Sequence, residues 1–187
     1  TVTMDDKLLV ADTQYGRIHV YDSDMSHQGS FGSLGYGDGK LSYPVDIAED
    51  DEGNIYVADF FNMYVAKFSA SGEFLGRFGT EGYENGQFVG PGGVGVDSDG
   101  NIYVSDCTTG RVQKFDSSFN FVKLFNSGDG EIAPLSSPGA VRIGSNGNVY
   151  VAEMSNGQIY IFNKNVEYLR EALTQGDDKV SKFGVFD

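Results

Sequence analysis

Gly53-Asn54-Ile55-Tyr56-Val57-Ala58-Asp59 returns as Gly100-Asn101-Ile102-Tyr103-Val104-Ser105-Asp106, and again as Gly147-Asn148-Val149-Tyr150-Val151-Ala152-Glu153, a step of 47 residues each time. A weaker copy, Lys7-Leu8-Leu9-Val10-Ala11-Asp12, stands one step upstream. A period of this size means that one supersecondary unit is repeated and must stack on its neighbour to bury its apolar faces.

Outward from that segment, Pro44, Pro91 and Pro138 keep the same spacing, and each opens a short stretch with Ile47, Val94 or Val141 at one equivalent position. Small residues crowd there: Gly92, Gly93 and Gly95 in one unit, Gly139 and Ala140 in the next. A strand with so little side-chain volume fits a place where several sheets converge. A turn follows, typified by Asp97-Ser98-Asp99-Gly100-Asn101, with glycine where a positive φ is needed. The second strand, Ile55 to Ala58, is apolar or aromatic on both alternating faces, which marks a strand covered on two sides. A third strand ends at Tyr21, Phe68, Phe115 and Phe162. The fourth carries Phe74, Phe121 and Tyr168, then Phe31, Phe78 and Phe125, before a glycine-rich return such as Gly79 to Gly90. Val166 to Leu173 can be drawn as a helical stripe, but its register with the earlier fourth strands predicts a strand.

Four short antiparallel strands, apolar on both faces, cannot stand as one flat sheet. Arranged radially, each sheet buries its faces on its neighbours, which is the β-propeller solution. A leucine-rich solenoid would show a leucine ladder, and a parallel β-helix a far shorter period. The fold class is therefore all-β, a single β-propeller domain over residues 1–187 with about four blades. Thr1 falls at the position of Ala48, inside a first strand, and Phe183-Gly184-Val185-Phe186-Asp187 looks like the start of another. Three arrangements fit: a stretch of a larger propeller, a compact four-blade ring whose part-strands meet at a seam, or copies assembling blade to blade.

Acidic residues outnumber basic ones 27 to 13, for a formal charge of −14. Such a surface repels phosphate backbones and anionic membrane surfaces, so nucleic acid is not an expected partner. No apolar run reaches the roughly 18 residues that would span a bilayer, so membrane insertion is not expected either. A single cysteine, Cys107, rules out an internal disulfide framework and reads as a half-buried inert thiol.

These residues resemble the NHL-repeat family. The resemblance rests on the proline, the small-residue strand, Asp-x-x-Gly-Asn-Ile-Tyr-Val-Ala-Asp, a loop with Asn or Arg, Val-Gln-x-Phe, and Phe-x-x-x-Phe-Gly; the unit from Pro91 to Phe125 matches nearly throughout. The resemblance implies a propeller, usually of six blades, and is far weaker as a guide to activity. Some NHL-like propellers are lyases that use histidines and a central metal, and some NHL domains bind nucleic acid through a basic face.

In propellers, the loops between strands two and three share a face with the blade-joining connections and usually hold the binding surface. Here those loops are 13–16, 60–63, 107–110 and 154–157, and they differ while the strands stay constant, as specialised loops on a common scaffold should. Phe60-Phe61-Asn62-Met63-Tyr64 is aromatic where its counterparts are polar, so it offers contact area unless Phe60 and Phe61 tuck under the adjoining connection. Arg17 and Arg111 share one position, either bonding neighbouring backbone carbonyls or facing a ligand. Asn62 and Asn156 hold a related place and brace the turn. With Gln14, Tyr15, Thr108 and Gln158 these complete the expected contact set. Asp12, Asp59, Asp106 and Glu153 form a ring by symmetry, read as acceptors for loop N–H groups rather than a metal funnel. The Asp50 and Asp97 turns lack the ligand number of a calcium loop.

No nucleophile elbow, phosphate loop or paired cysteine motif is present, so no cofactor and no catalytic residue is assigned. His19 and His27, eight residues apart in one unit, do not make a three-ligand zinc site. The expectation is a non-catalytic scaffold that binds a protein or glycan through its loop face, placed outside the cell or at its surface. The alternatives are part of a metal-dependent propeller lyase or lactonase, and a self-assembling filament or sheath protein joined through exposed blade edges.

Overall fold

The computed structural model describes residues 1–125 and 135–172. Among them there is no helix, and the strands fall into successive antiparallel sheets, each wound outward in chain order. The first blade holds β1 (Leu8–Asp12), β2 (Arg17–Tyr21) and β3 (His27–Phe31). A short parallel pair, β4 (Ser33–Leu34) and β5 (Lys40–Leu41), lies in the connection that follows. The second blade is β6 (Pro44–Glu49), β7 (Ile55–Asp59), β8 (Tyr64–Phe68) and β9 (Phe74–Phe78). The third is β10 (Pro91–Val96), β11 (Ile102–Asp106), β12 (Arg111–Phe115) and β13 (Phe121–Leu124). The fourth is β14 (Pro138–Ile143), β15 (Val149–Glu153), β16 (Gln158–Phe162) and β17 (Tyr168–Ala172). The stretch after Val166 is thus a strand, as its register requires. The Phe183–Asp187 stretch lies outside the described residues.

The 47-residue step carries through to the pairing. Asp12 faces Arg17, Asp59 faces Tyr64, Asp106 faces Arg111 and Glu153 faces Gln158 across the second and third strands. Thr1 and Leu9 exchange two backbone bonds of 2.9 Å, taking the place that Ala48 and Tyr56 hold in the second blade. The turn glycines Gly53, Gly100 and Gly147 adopt φ of +79°, +78° and +76°, and each N–H closes its turn on the carbonyl three residues back. A side chain there would be strained, which is why the repeat keeps glycine.

Because β7 and β11 are buried along their whole length, each blade has two apolar faces to cover. Leu9, Ile18, Ile47, Val57 and Phe68 fill the space between the first and second blades. Tyr56, Val65, Phe78, Phe88, Val104 and Phe115 fill the next, and Tyr103, Val112, Phe125, Val151 and Phe162 the third. Among the described residues the core clusters join the first blade to the second, the second to the third and the third to the fourth.

The inner strands converge as their small residues predict. A Cβ on Gly93 would stand 2.4 Å from the Gly139 carbonyl oxygen and 3.0 Å from the Ala140 Cα. Asp46 on β6 accepts the Val94 N–H at 3.0 Å and both Arg142 guanidinium nitrogens at 2.8 and 2.9 Å. Three inner strands are thereby tied together, and the Asp46 carboxylate holds the Arg142 guanidinium above its ordinary pKa.

Phe88 lies in a connection rather than a strand, yet it is fully buried between Phe78 and Phe115. Truncating it to alanine should cost about 3–5 kcal/mol. The same change at half-exposed Leu75 should move stability by no more than about 0.5 kcal/mol. Urea unfolding of the two variants checks this ordering.

Candidate binding surface on the loop face

Each second strand ends in a carboxylate that stitches the loop face together. Asp106 accepts N–H bonds from Val89 and Gly90, just before Pro91, and from Thr108 and Thr109 in its own loop, at 2.8–3.2 Å. Asp59 does the same for Ser42, Tyr43 and Asn62, and Glu153 for Ser136, Ser137 and Ser155. The acids therefore fix the incoming connection against the loop between strands two and three. Burial pushes the Asp59 carboxyl up, with the N–H donors pulling against it. At Glu153 burial is outweighed by the serine donors, and the carboxyl lies below its ordinary range. In the first blade Asp12 instead takes Arg17 Nε at 3.1 Å, His19 Nε2 at 3.2 Å and the Tyr15 N–H at 3.1 Å.

The expected contact residues divide sharply. Gln14, Tyr15, Phe61, Thr108 and Asn156 are exposed on this face, and Arg17, Phe60 and Gln158 are half-buried. Surface contact is corrected for three others, of which Arg111 takes the carbonyl-bonding alternative and Asn62 braces the turn as expected. Tyr64 is fully buried, and its hydroxyl donates to the Lys40 carbonyl at 2.6 Å. Burial first, then the Asp59 charge, pushes its phenol up to about 12. Asn62 is buried and donates to the Gly35 carbonyl, Asp59 and the Tyr64 hydroxyl at 2.8–3.0 Å. Arg111 is buried too: its guanidinium donates to the carbonyls of Tyr83, Gly82 and Gln87 and so anchors the connection of residues 79–90. These three polar side chains replace missing backbone partners in irregular connections, which is a scaffold role.

The connections themselves supply the residues that sequence reasoning missed. Tyr43 packs on Phe61 at 4.8 Å between ring centroids, and Phe60 meets Phe61 edge-on at 5.5 Å. Tyr36 and Tyr83 are 69% and 75% exposed, and Leu34 and Met154 lie open on the same face. Their signal was an aromatic flanked by glycines (Gly35-Tyr36-Gly37) or following one (Gly82-Tyr83), where no core position exists to receive it.

Cys107 donates weakly to the Gly90 carbonyl at 3.4 Å; burial and then the Asp106 charge raise its thiol pKa, which disfavours the nucleophilic thiolate. His19 Nδ1 and His27 Nε2 stand 3.0 Å apart on β2 and β3, with the other ring nitrogen of His19 on Asp12. Among the described residues no three or more His, Cys, Asp or Glu are arranged to hold a metal ion.

The NHL repeat family matches residues 88–115, the run from Phe88 through β12. With that match and the four-stranded antiparallel sheets, the chain is a partial β-propeller in fold, one stretch of which matches the NHL repeat. No curated protein matches it in sequence. Among solved structures it is similar to a streptogramin B lyase, at 16% identity and a TM-score of 0.70 over 93% of this chain and 53% of that one. Virginiamycin B lyase from Staphylococcus aureus gives 14% identity and a TM-score of 0.71 over 95% of this chain and 55% of that one. A chain of the nidogen/laminin complex gives 18% identity and 0.70 over 89% and 59%. The chain thus spans about half the length of the structures it matches, and at these identities the likeness is one of fold.

Replacing Asp106 by alanine should leave buried N–H groups of Val89 and Gly90 unpaired and cost about 3 kcal/mol. Amide exchange at those two residues should accelerate along with the loss of stability. Because the native state holds the Glu153 carboxyl low, it binds fewer protons there than the unfolded chain. Stability from that group is present above the ordinary glutamate pKa of about 4.3 and is lost as pH falls below it. Glu153→Gln should therefore flatten the acid side of the stability profile, measured by denaturant unfolding across pH.

Proposed function

We propose that this propeller is a non-catalytic binding scaffold, working outside the cell or at its surface, that presents its loop face to a protein or glycan. One observation carries this reading: Tyr15, Leu34, Tyr36, Tyr43, Phe61, Tyr83 and Met154 are all exposed on the single face formed by the variable loops and connections. Exposed aromatics gathered on one side of a rigid sheet scaffold give large contact area at low entropic cost, the composition of interface hot spots. The stitching carboxylates hold the loops in place beforehand, which lowers the ordering cost of binding. Strong net acidity favours solubility and neutral or cationic partners, in keeping with an exposed location. The nidogen/laminin neighbour, a propeller found in a protein–protein complex, supports the same class of role.

Two lyases stand among the structural neighbours, and the lyase reading would need a metal or acid–base centre. In this chain the two histidines sit on the outer half of one blade rather than on the inner strands. Self-association has its own support in the uncovered faces, with Val10 on the first blade 40% exposed and Ala152 and Ile159 on the fourth half-buried.

The test is Tyr43→Ser with Phe61→Ser, screened beside the parent chain on protein and glycan arrays. At least one ligand should lose more than about tenfold in affinity, with unfolding free energy unchanged to within about 0.5 kcal/mol. Identical profiles for the two chains would overturn the loop-face assignment.

A further inference from the structure

On the opposite face, the turns joining first and second strands leave one crevice between the first and second blades and another between the second and third. The crevice between the second and third blades has a volume of about 240 Å³ and contains a built-in cation. Lys67 Nζ lies 5.0 Å over the Tyr56 ring and 3.5 Å from the Asp50 carboxylate, with Asp51, Glu52 and Asp99 around it. One blade further on, Lys114 repeats the pose, 5.1 Å over the Tyr103 ring. An ammonium over an aromatic face beside carboxylates is a favourable arrangement, and its aliphatic stem covers apolar surface.

The crevice between the first and second blades has the same construction and a volume of about 280 Å³. Its repeat-equivalent floor residues differ: Leu9 stands for Tyr56 and Val20 for Lys67. The internal lysine is therefore missing, and an apolar floor of Leu9, Val20, Ile55 and Ala70 lies in its place. The rim is still acidic, with Asp5, Glu49, Asp51 and Glu52. Among the described lining residues the one cation, Lys7, is paired with Asp5, and Glu49 holds the Met4 N–H at 2.7 Å. Asp51 and Glu52 are exposed on the turn that separates the two crevices and line both of them.

We propose that this first crevice receives a lysine side chain from a partner polypeptide. The four-carbon stem lies over Leu9 and Val20, and the ammonium meets Asp51 and Glu52. The neighbouring crevice shows the occupant's chemistry, since it holds a lysine of the chain itself, and Lys114 takes the same pose over Tyr103 one blade on. A compact ammonium suits the slot better than the broad, planar guanidinium of arginine. This site lies on the face away from the variable loops and does not rest on their assignment.

The test titrates the isotope-labelled chain with acetyl-Gly-Lys-Gly-amide and with its norleucine counterpart, followed by NMR. The lysine peptide should shift the amides of Gly53, Ile55 and Ala70, and the norleucine peptide should bind at least about tenfold more weakly. Val20→Lys supplies the missing internal occupant and should abolish the response while the rest of the spectrum stays native. Asp51→Asn with Glu52→Gln, both on a surface turn, should weaken it about tenfold without reference to the core. Equal binding of the two peptides, absence of shifts at those amides, or undiminished binding by either variant would overturn the proposal.

Discussion

A carboxylate at the end of the second strand, accepting backbone N–H groups from two different loops in the second, third and fourth blades, is the constraint on which the rest depends. Val89 and Gly90, or Ser42 and Tyr43, are amides of irregular chain entering a blade, and no strand ladder reaches them. Left unpaired in a buried position, each would cost about 1–3 kcal/mol. One side chain with two oxygens satisfies several of them together and sets the start of the inner strand at the following proline. The distance between that strand and the loop is then no longer free. Everything displayed on the loop face, Phe61 and Tyr43 included, inherits its position from this bond.

The apolar cores do a different job. They hold blade to blade, while the carboxylates hold the chain within each blade to the connection that feeds it. Where a connection is long, the chain adds further internal partners: Tyr64 and Asn62 for the carbonyls near Gly35 to Lys40, and Arg111 for those from Gly82 to Gln87. The two connections fold alike, Gly35 N–H to the Leu41 carbonyl matching Gly82 N–H to the Phe88 carbonyl, so a phenol and a guanidinium at one repeat position reach the equivalent carbonyls of Lys40 and Gln87. At the centre, glycine lets backbones approach, and the Asp46–Arg142 pair ties the second blade to the fourth across the third.

The fold was legible because its period constrains every strand at once. The equivalence of Thr1 with Ala48 was sufficient to place its bonds to Leu9, although no local propensity at Thr1 says so. The ring of acids was legible for the same reason, since a need common to every blade repeats with the blade. The contact surface was only half legible. Position in a repeat says that Phe61, Asn62 and Tyr64 belong to a loop, but not which of them turn inward. That depends on the connection overhead. Tyr36 and Tyr83 stand 47 residues apart, and they were overlooked because the period was followed through the strands and not through the connections, where Tyr43 also sits, one residue before Pro44. The Asp46–Arg142 pair spans two blades and leaves no trace in spacing at all.

A repeat is most informative where it breaks. Positions filled alike in every blade answer to packing, so a departure that leaves the packing intact marks a place released from that duty. Phe60 and Phe61 are one such departure, aromatic where the others are polar. Leu9 and Val20 are another, apolar where the next blades place a tyrosine and a lysine. Both departures lie at blade boundaries, but on opposite ends of the sheets. The loop end gathers aromatic surface within a frame of satisfied amides, and the turn end gathers carboxylates around apolar floors. One scaffold thus carries two chemically distinct surfaces, and the strands between them are rigid enough to keep the two apart.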